Sequence, residues 1–392
     1  MFAAKPKSKN RIALAFPMGL AFVERLMHGI LDYAKERGGW SFTRLPELLS
    51  PSIDWLQHWP GDGAFVLITN PEDAAMAHRL SIPVVNLAGH LEASGLPTVT
   101  VDHHAIGILA AEHLLARRFQ RFGYYGIRGK WYSQQRRLGF SETVGRAGGS
   151  CKVLEVRDLS LRPGKWVDQQ EELARWLKSL VPPVGVMAST DLRAGMVLDA
   201  CQRLGLRVPD DVAVIGVDND PVACEFCVPP LSSVSRNDHE VGYEAARLLD
   251  RLIHDGPSAA GCLLIPPDGV VTRRSTRVLA IEDPEVAKVV KLMQSRLHEP
   301  FGVEAVLGHT AISRRRLEQR FRECLGRSPA TFLNEQRVEK ARKLLENEEK
   351  LPLTDIAAAC GFSEPRRFRM VFQRITGQSP ADYRKARANR NA

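Results

Sequence analysis

Leu317, Phe321, Gly326, Ser328, Pro329 and Phe332 return at an offset of 51 residues as Phe368, Phe372, Gly377, Ser379, Pro380 and Tyr383. A chain that repeats an apolar stripe followed by a Gly-x-Ser/Pro turn must build the same small helical unit twice. In the first copy Ser313 is placed to cap a helix whose buried stripe is Leu317, Phe321 and Cys324 or Leu325. In the second, Ile356 to Ala359 predicts a short helix and Gly361 a turn. Ser363 or Glu364 then caps a helix with Pro365 in its first turn, which turns Phe368, Val371, Phe372 and Ile375 inward. Both units read as helix-turn-helix motifs. Between them, residues 330–347 predict a helix about 27 Å long at 1.5 Å per residue, close to the pitch of a DNA duplex.

The charge of the chain is concentrated in the same place. From Glu285 onward 22 Lys and Arg face 13 Asp and Glu, which accounts for the whole formal charge of +9, so the first 284 residues are neutral. A basic stretch made of duplicated helical units is where a polyanion binds. The candidate DNA-contacting residues are Ser313, Arg314, Arg315, Glu318 and Gln319 in the first unit, and Arg366, Arg367, Arg369 and Met370 in the second. They lie on the outer faces, near the helix N-termini where side chains reach base edges. Because the second set is richer in arginine, the two units should read different bases.

Ahead of this region, between Arg11 and about Thr276, short β-rich runs alternate with amphipathic stretches, the pattern of parallel sheets covered by helices. The runs are Ile12–Phe16, Ala64–Thr69, Val84–Leu87, Thr98–Val101, Phe122–Tyr125, Val184–Ala188 and Val212–Val217. Such a region is long enough to split into two lobes. Ligands of doubly wound sheets bind beyond the carboxyl ends of the strands, where Asp102, Asp191 and Asp218-Asn219-Asp220 stand. The domains are therefore a tail at 1–10, an α/β region at 11–276, a linker at 277–285 closed by Asp283-Pro284, and an all-α region at 286–392.

Other classes find little support. Seven scattered cysteines, odd in number, argue against a disulfide framework and for a reducing compartment. Cys224 and Cys227 have Cys-x-x-Cys spacing but no second pair or neighbouring histidines to complete a zinc quartet, so neither metal nor cofactor is expected. His103 and His104 follow Asp102, yet adjacent residues at a helix start point in different directions. No Gly-rich phosphate loop and no Gly-x-Ser-x-Gly elbow suggests an enzyme. Lys5, Lys7, Lys9 and Arg11 before the apolar run to Val23 imitate a signal peptide. Pro17, Gly19 and the lack of an Ala-x-Ala site make that run a first strand and loop instead. No apolar run reaches the length of a membrane span.

The residues from Ser313-Arg314-Arg315-Arg316-Leu317 through Phe321, Gly326 and Pro329 resemble the AraC/XylS family of transcription regulators. So do Ile356-Ala357, Gly361-Phe362-Ser363, Phe368, Phe372, Gly377, Pro380 and Tyr383-Arg384. Arg367 stands where that family usually has an aromatic or small polar residue, and Met370 where it often has Arg. The front region resembles the effector domain of the lac-repressor family and the periplasmic sugar-binding proteins. That likeness rests on Arg136 with Gly139-Phe140, Ser189-Thr190-Asp191, Val214-Ile215-Gly216-Val217-Asp218, and Arg274-Ser275-Thr276.

These resemblances imply a two-lobed, periplasmic-binding-protein-like α/β domain followed by an all-α domain with two helix-turn-helix motifs. They imply a sugar-responsive transcription regulator, with a pentose such as xylose as the effector. Arg136, Asp191, Asp218 and Asn219 would hold sugar hydroxyls, and Trp131 or Phe16 would pack on the ring. The loop Pro17–Arg25 carries Val23 and Glu24 where xylose-responsive regulators of this layout have an Asp-Arg pair, so another monosaccharide is the alternative. The expected partners are double-stranded DNA, the sugar, a second copy of the chain and RNA polymerase, in the cytoplasm and away from membranes.

Overall fold

The computed structural model describes residues 10–17, 19–44, 53–157, 163–256, 261–281, 283–347 and 351–391, so nearly all of the expected N-terminal tail lies outside the described residues. The chain forms two compact units, Met1–Ala280 and Ile281–Ala392.

The first unit begins with β1 (Asn10–Ala15), α1 (Ala21–Arg37), β2 (Trp40–Arg44), β3 (Gly63–Val66), α2 (Pro71–Ala77), β4 (Val84–Asn86) and β5 (Thr98–Val101). It continues through α3 (His103–Leu115), β6 (Arg121–Ile127), α4 (Trp131–Arg146), β7 (Ser150–Val156), α5 (Pro163–Ser179) and β8 (Val184–Ala188). Then come α6 (Asp191–Arg203), β9 (Val212–Val217), α7 (Pro221–Phe226), β10 (Ser232–Ser235), α8 (Asp238–Asp255), β11 (Cys262–Ile265) and β12 (Gly269–Val271). Two six-stranded sheets result, ordered β11-β5-β4-β3-β1-β2 and β12-β10-β9-β8-β6-β7. Their strand pairs are parallel except β10 with β12. Fully buried runs such as β3, β8 and β9 are what a sheet covered on both faces requires. The chain passes from one sheet to the other after β5, after β10 and after β11, so three strand ends form the hinge between two lobes.

Each lobe contains one helix pair at backbone contact. A Cβ on Gly29 of α1 would lie 1.9 Å from the His239 carbonyl oxygen of α8, and one on Gly242 would lie 2.0 Å from that of Leu26. In the second lobe a Cβ on Gly107 of α3 would lie 2.2 Å from the Arg136 carbonyl oxygen, and one on Gly139 of α4 would lie 2.1 Å from that of His104. Only glycine permits this approach, and the second pair sets where Arg136 stands.

The linker expected over 277–285 divides between the units. Val278 and Ala280 pack on the first unit's core, and the Ala280 amide donates to the Arg117 carbonyl at 2.8 Å. Asp283, by contrast, accepts from the amides of Glu285 and Val286 at 3.0 and 3.2 Å, so its carboxylate starts a helix at Pro284, ahead of the expected boundary.

His113 of α3 fastens the end of the first unit. Its Nε2 lies 2.8 Å from Thr276 Oγ1, and its Nδ1 lies 3.1 Å from Arg117 NH1, the guanidinium being the donor there. Burial, helped by the Arg117 charge, lowers its pKa to about 3. The unfolded chain therefore binds a proton near pH 6.5 that the folded chain refuses, and stability falls as pH drops through this window. At pH 5 the expected cost is about 2 kcal/mol, at 1.36 kcal/mol per unit. His113→Gln should remove that part of the acid sensitivity, as read from urea unfolding of the first unit at pH 7 and pH 5. An unchanged pH dependence would refute it.

The regular structure of the second unit's described residues is all helix: α9 (Pro284–Ser295), α10 (Val303–Leu307), α11 (Arg314–Leu325), α12 (Pro329–Asn347), α13 (Leu353–Ala359), α14 (Pro365–Thr376) and α15 (Pro380–Asn391). The duplicated stripes form its two cores. Leu317, Phe321 and Leu325 are buried in the first, with the Phe321 and Phe332 rings 5.7 Å apart. Phe368, Val371 and Phe372 pack with Val338, Ala341 and Leu345 of α12 in the second. Ile375, expected inside, is 39% exposed because the last turn of α14 lies outside that cluster. Gly326 and Gly377 end α11 and α14 in the left-handed conformation, so the repeat extends to the helix caps.

Candidate functional site

The hinge places side chains from both lobes around a cavity of about 140 Å³. Phe22 comes from α1, His103 from the start of α3, Tyr132 and Arg136 from α4, Asp218 from the end of β9 and Arg236 from the end of β10. Tyr132 and Arg136 are one helical turn apart and face the same way. The Arg136 guanidinium sits 5.1 Å from the centre of the Tyr132 ring, and that of Arg236 sits 4.8 Å from the centre of Phe22.

Asp218 is the carboxylate of the cavity. Its Oδ1 lies 3.7 Å from Arg136 NH2 and 3.5 Å from Arg236 NH1. Burial raises its pKa, and the two guanidinium groups oppose that rise. Burial likewise lowers the pKa of Arg136, whose NH1 also donates to the Ser189 carbonyl and whose Nε has no partner among the described residues. Asp218 and Asn219 both have positive φ, 114° and 48°, a costly backbone for non-glycine residues. The backbone of Asp218 is held on both sides. Its amide donates to the Val234 carbonyl at 3.1 Å, and its carbonyl accepts from Arg25 NH2 at 2.6 Å. Arg25 belongs to α1 and also binds the Asp238 carboxylate at 2.8 Å, while Asp238 lies 2.9 Å from Arg236 Nε. One alternating chain of charges thus runs from Arg25 through Asp238, Arg236 and Asp218 to Arg136 and ties the lobes together.

The other expected ligand residues do not line the cavity. Asp191 is buried behind it, accepting from Ser233 Oγ at 2.6 Å, the Asp220 amide at 2.9 Å and Cys224 Sγ at 3.4 Å. Burial, and then the neighbouring Asp218, raises its pKa to about 7. It braces the 218–220 loop, and the fit requires glycine at 216, where a Cβ would lie 2.2 Å from Asp191 Oδ1. Asn219 Oδ1 accepts from Arg273 NH2 at 3.0 Å. Trp131 packs edge-on against His103 with 5.7 Å between ring centres, and Phe16 lies in the apolar core. Besides two histidines, the aromatic rings at the cavity are those of Tyr132 and Phe22, each with a guanidinium over one face. The Cys224 thiol is committed to Asp191, and no group of three metal-binding side chains occurs among the described residues.

The two helix-turn-helix units differ in how their cations are engaged. Ser313 caps α11 by accepting from the Arg316 amide at 3.4 Å. Arg314 pairs with Glu304 and, at 3.3 Å, with Glu318, and Gln319 donates to Glu323 at 2.9 Å. Arg315 is exposed. On α14, Arg366, Arg367 and Arg369 are all exposed and have no ion pair among the described residues, and Met370 is 64% exposed. Neither Ser363 nor Glu364 caps α14 with a side-chain bond, so Pro365 and the backbone of Glu364 set its start.

Between the readers, Arg337 of α12 is buried, with its guanidinium 5.1 Å from the Phe301 ring centre and 5.6 Å from that of Phe362. Its NH2 donates to the carbonyls of Glu299 and Phe301 at 2.9 and 3.0 Å, joining the first half of the unit to the second. Gly361, at φ 73°, presses on the same carbonyl cluster, since a Cβ there would lie 2.5 Å from the Glu299 oxygen.

Comparison with known proteins agrees with this layout. Residues 111–276 match a periplasmic binding protein-like domain and residues 307–386 a helix-turn-helix domain. The chain is 30% identical over 384 residues to the xylose operon regulatory protein of Escherichia coli K12, covering 96% of this chain and 97% of that one. It belongs to the xylose operon regulatory protein family. The Haemophilus influenzae member is 27% identical, with 95% of this chain and 98% of that protein covered. The solved structure of the xylose-binding transcription activator XylR superposes with a TM-score of 0.66 at 28% identity, covering 97% of this chain and 99% of that one. Members of this family are transcription regulators, and the two-lobed α/β domain with its helical reader is their architecture.

Of the residues that line the cavity, the sequence pointed to Arg136 and Asp218 as ligand residues, raised His103 only for metal chemistry, and did not single out Phe22, Tyr132 or Arg236. Arg236 was findable, since it follows β10 as Asp218 follows β9, yet the Ser-rich strand Ser232–Ser235 gives no apolar run. Tyr132 and Arg136 share the spacing of one helix face, which a helix assigned over Trp131–Arg146 would have exposed.

Proposed function

We propose that this regulator responds to a pentose, xylose or a close relative, bound in the cavity between its lobes, and that it acts as a transcription activator. What carries the reading is Asp218, the one carboxylate among the cavity's described lining residues, set between Arg136 and Arg236 and flanked by the Tyr132 and Phe22 rings. Directional, charge-assisted hydrogen bonds suit vicinal hydroxyls, and an aromatic face suits the apolar side of a sugar ring. The relatives named for xylose supply the choice of pentose. The ligand closes the lobes, and a homodimer in the cytoplasm carries that change to its readers, which recruit RNA polymerase; no reaction is catalysed.

A second reading is favoured by one observation. The stretch expected as a loop over Pro17–Arg25 enters α1 at Ala21, and among its described residues none contributes an acid to the cavity, Val23 being in the core and Glu24 exposed, so a different monosaccharide is the alternative effector. Thermal melting of the full chain against a panel of mono- and disaccharides decides between them, since a ligand bound only by the folded state raises the melting temperature. A rise with a pentose alone is the expected result, and no rise with any sugar would overturn the reading.

On the DNA side, Arg366→Ala is expected to weaken operator binding by about 1 to 3 kcal/mol, because this guanidinium is exposed and has no ion pair among the described residues. Arg314→Ala, whose cation is already engaged by Glu304 and Glu318, should cost less. Titrations at matched salt test the order of the two, and the reverse order would refute it.

A further inference from the structure

His103 is buried at the hinge, in the first turn of α3, where the chain passes from one lobe to the other. Both of its ring nitrogens are without a hydrogen-bond partner among the described residues. The ring lines the same cavity as Arg136, Asp218 and Arg236. It is also held in place. Trp131 and Tyr132 pack against it with ring centres 5.7 and 5.9 Å away, and a Cβ on Gly89 would fall 2.2 Å from Nε2, so Gly89 makes the room that the ring occupies. Its neighbour His104 points elsewhere, to Glu142 at 3.3 Å. A buried imidazole left unpaired on both sides costs stability, and a fixed cavity wall is where a missing partner can arrive.

We infer that His103 is a specificity-determining residue of the effector site, reading a sugar hydroxyl as a neutral imidazole. This rests on the sugar reading above. Burial and the nearby Arg136 and Arg236 charges hold the ring's pKa well below its ordinary value, so the ring stays uncharged at neutral pH. An uncharged imidazole offers one donor and one acceptor. A hydroxyl is both donor and acceptor and can serve either nitrogen, whereas an ammonium can serve only the acceptor and a carboxylate only the donor. His103 thus complements Asp218. The carboxylate fixes one edge of the sugar by accepting, and the imidazole checks another for a group that can do either.

The test is calorimetric titration of the full chain with D-xylose, D-ribose, L-arabinose and D-glucose, then with the monodeoxy analogues of the tightest binder. His103→Leu is expected to weaken that sugar by about ten- to a hundredfold. One deoxy analogue should bind His103→Leu as well as it binds wild type, because the hydroxyl that His103 reads is already gone. His103→Asn, which keeps a donor and an acceptor, should recover part of the loss. Since a leucine side chain has no polar atoms to leave unpaired, the ligand-free melting temperature of His103→Leu should not fall, which separates recognition from packing. Sugar binding by His103→Leu within twofold of wild type, or an equal loss with every deoxy analogue, would overturn the inference alone. Failure of wild type to bind any of the four sugars would overturn the sugar reading and this inference with it.

Discussion

Asp218→Asn is expected to lower affinity for the effector sugar by about ten- to a hundredfold and to lower the melting temperature of the ligand-free chain, though less than Asp218→Ala does. The amide keeps the volume and one acceptor but forfeits the charge, and a hydrogen bond to an ionised group contributes about 1.5–3 kcal/mol. Asp218→Ala is a different experiment. Arg136 is 1% exposed; its NH1 donates to the Ser189 carbonyl, and Asp218, 3.7 Å from NH2, is its ion-pair partner among the described residues. Taking away its carboxylate leaves a buried cation poorly compensated, at a cost of about 3 kcal/mol or more. Both variants should therefore lose stability as well as binding, the alanine variant more, because the asparagine amide keeps an acceptor for the guanidinium groups. Calorimetry for the sugar beside thermal melting separates the two. Undiminished affinity in the asparagine variant would remove Asp218 from the site.

The second large effect reverses an ordinary rule. Alanine usually stabilises a helix relative to glycine by about 0.5–1 kcal/mol. At Gly145, near the end of α4, nothing stands within 4 Å of the added Cβ, and Gly145→Ala should follow the rule. At Gly107 the added Cβ would lie 2.2 Å from the Arg136 carbonyl oxygen and 2.6 Å from the Phe140 amide nitrogen. One methyl group there must push α4 away from α3, and overpacking of this kind costs about 1–3 kcal/mol. Arg136 moves with its helix, so Gly107→Ala is expected to lose sugar affinity too. Chemical denaturation of both variants, with titration of the sugar, checks the sign at each position. Equal stabilisation by the two substitutions would refute the close crossing.

Much of this was legible in the chain. The repeat located both readers and their cores, because a stripe at helical spacing and a glycine cap have few other uses. Runs such as Val184–Ala188 and Val212–Val217 gave strands with their observed ends, since buried parallel strands are apolar at every position. What resisted reading was whatever depends on partners distant in sequence. The strand β11 is mostly exposed and adds to β5 at a sheet edge, so its pattern carries no alternation. Asp191 and Asp218 look alike as acids following strands. Only the packing of Ser233, Cys224 and Asp220 around the first distinguishes a brace from a wall of the cavity. Trp131 and Tyr132 differ by one step along a helix, and the helix phase turned the second, not the first, toward the cavity.

Arg337 bears on how such a regulator can evolve. Clamped between Phe301 and Phe362 and bonded to two carbonyls, it fixes the rotation of one reader relative to the other about α12. A ruler of 19 residues, about 28 Å long, cannot follow an operator whose half-sites drift apart. A spacer lengthened by one base pair turns the second half-site by roughly a tenth of a duplex turn. Base changes within a half-site cost one contact at a time, but a changed spacer costs a whole reader. Promoters under the control of this protein should therefore diverge in letters long before they diverge in spacing, and a genome is better searched for the interval than for the word.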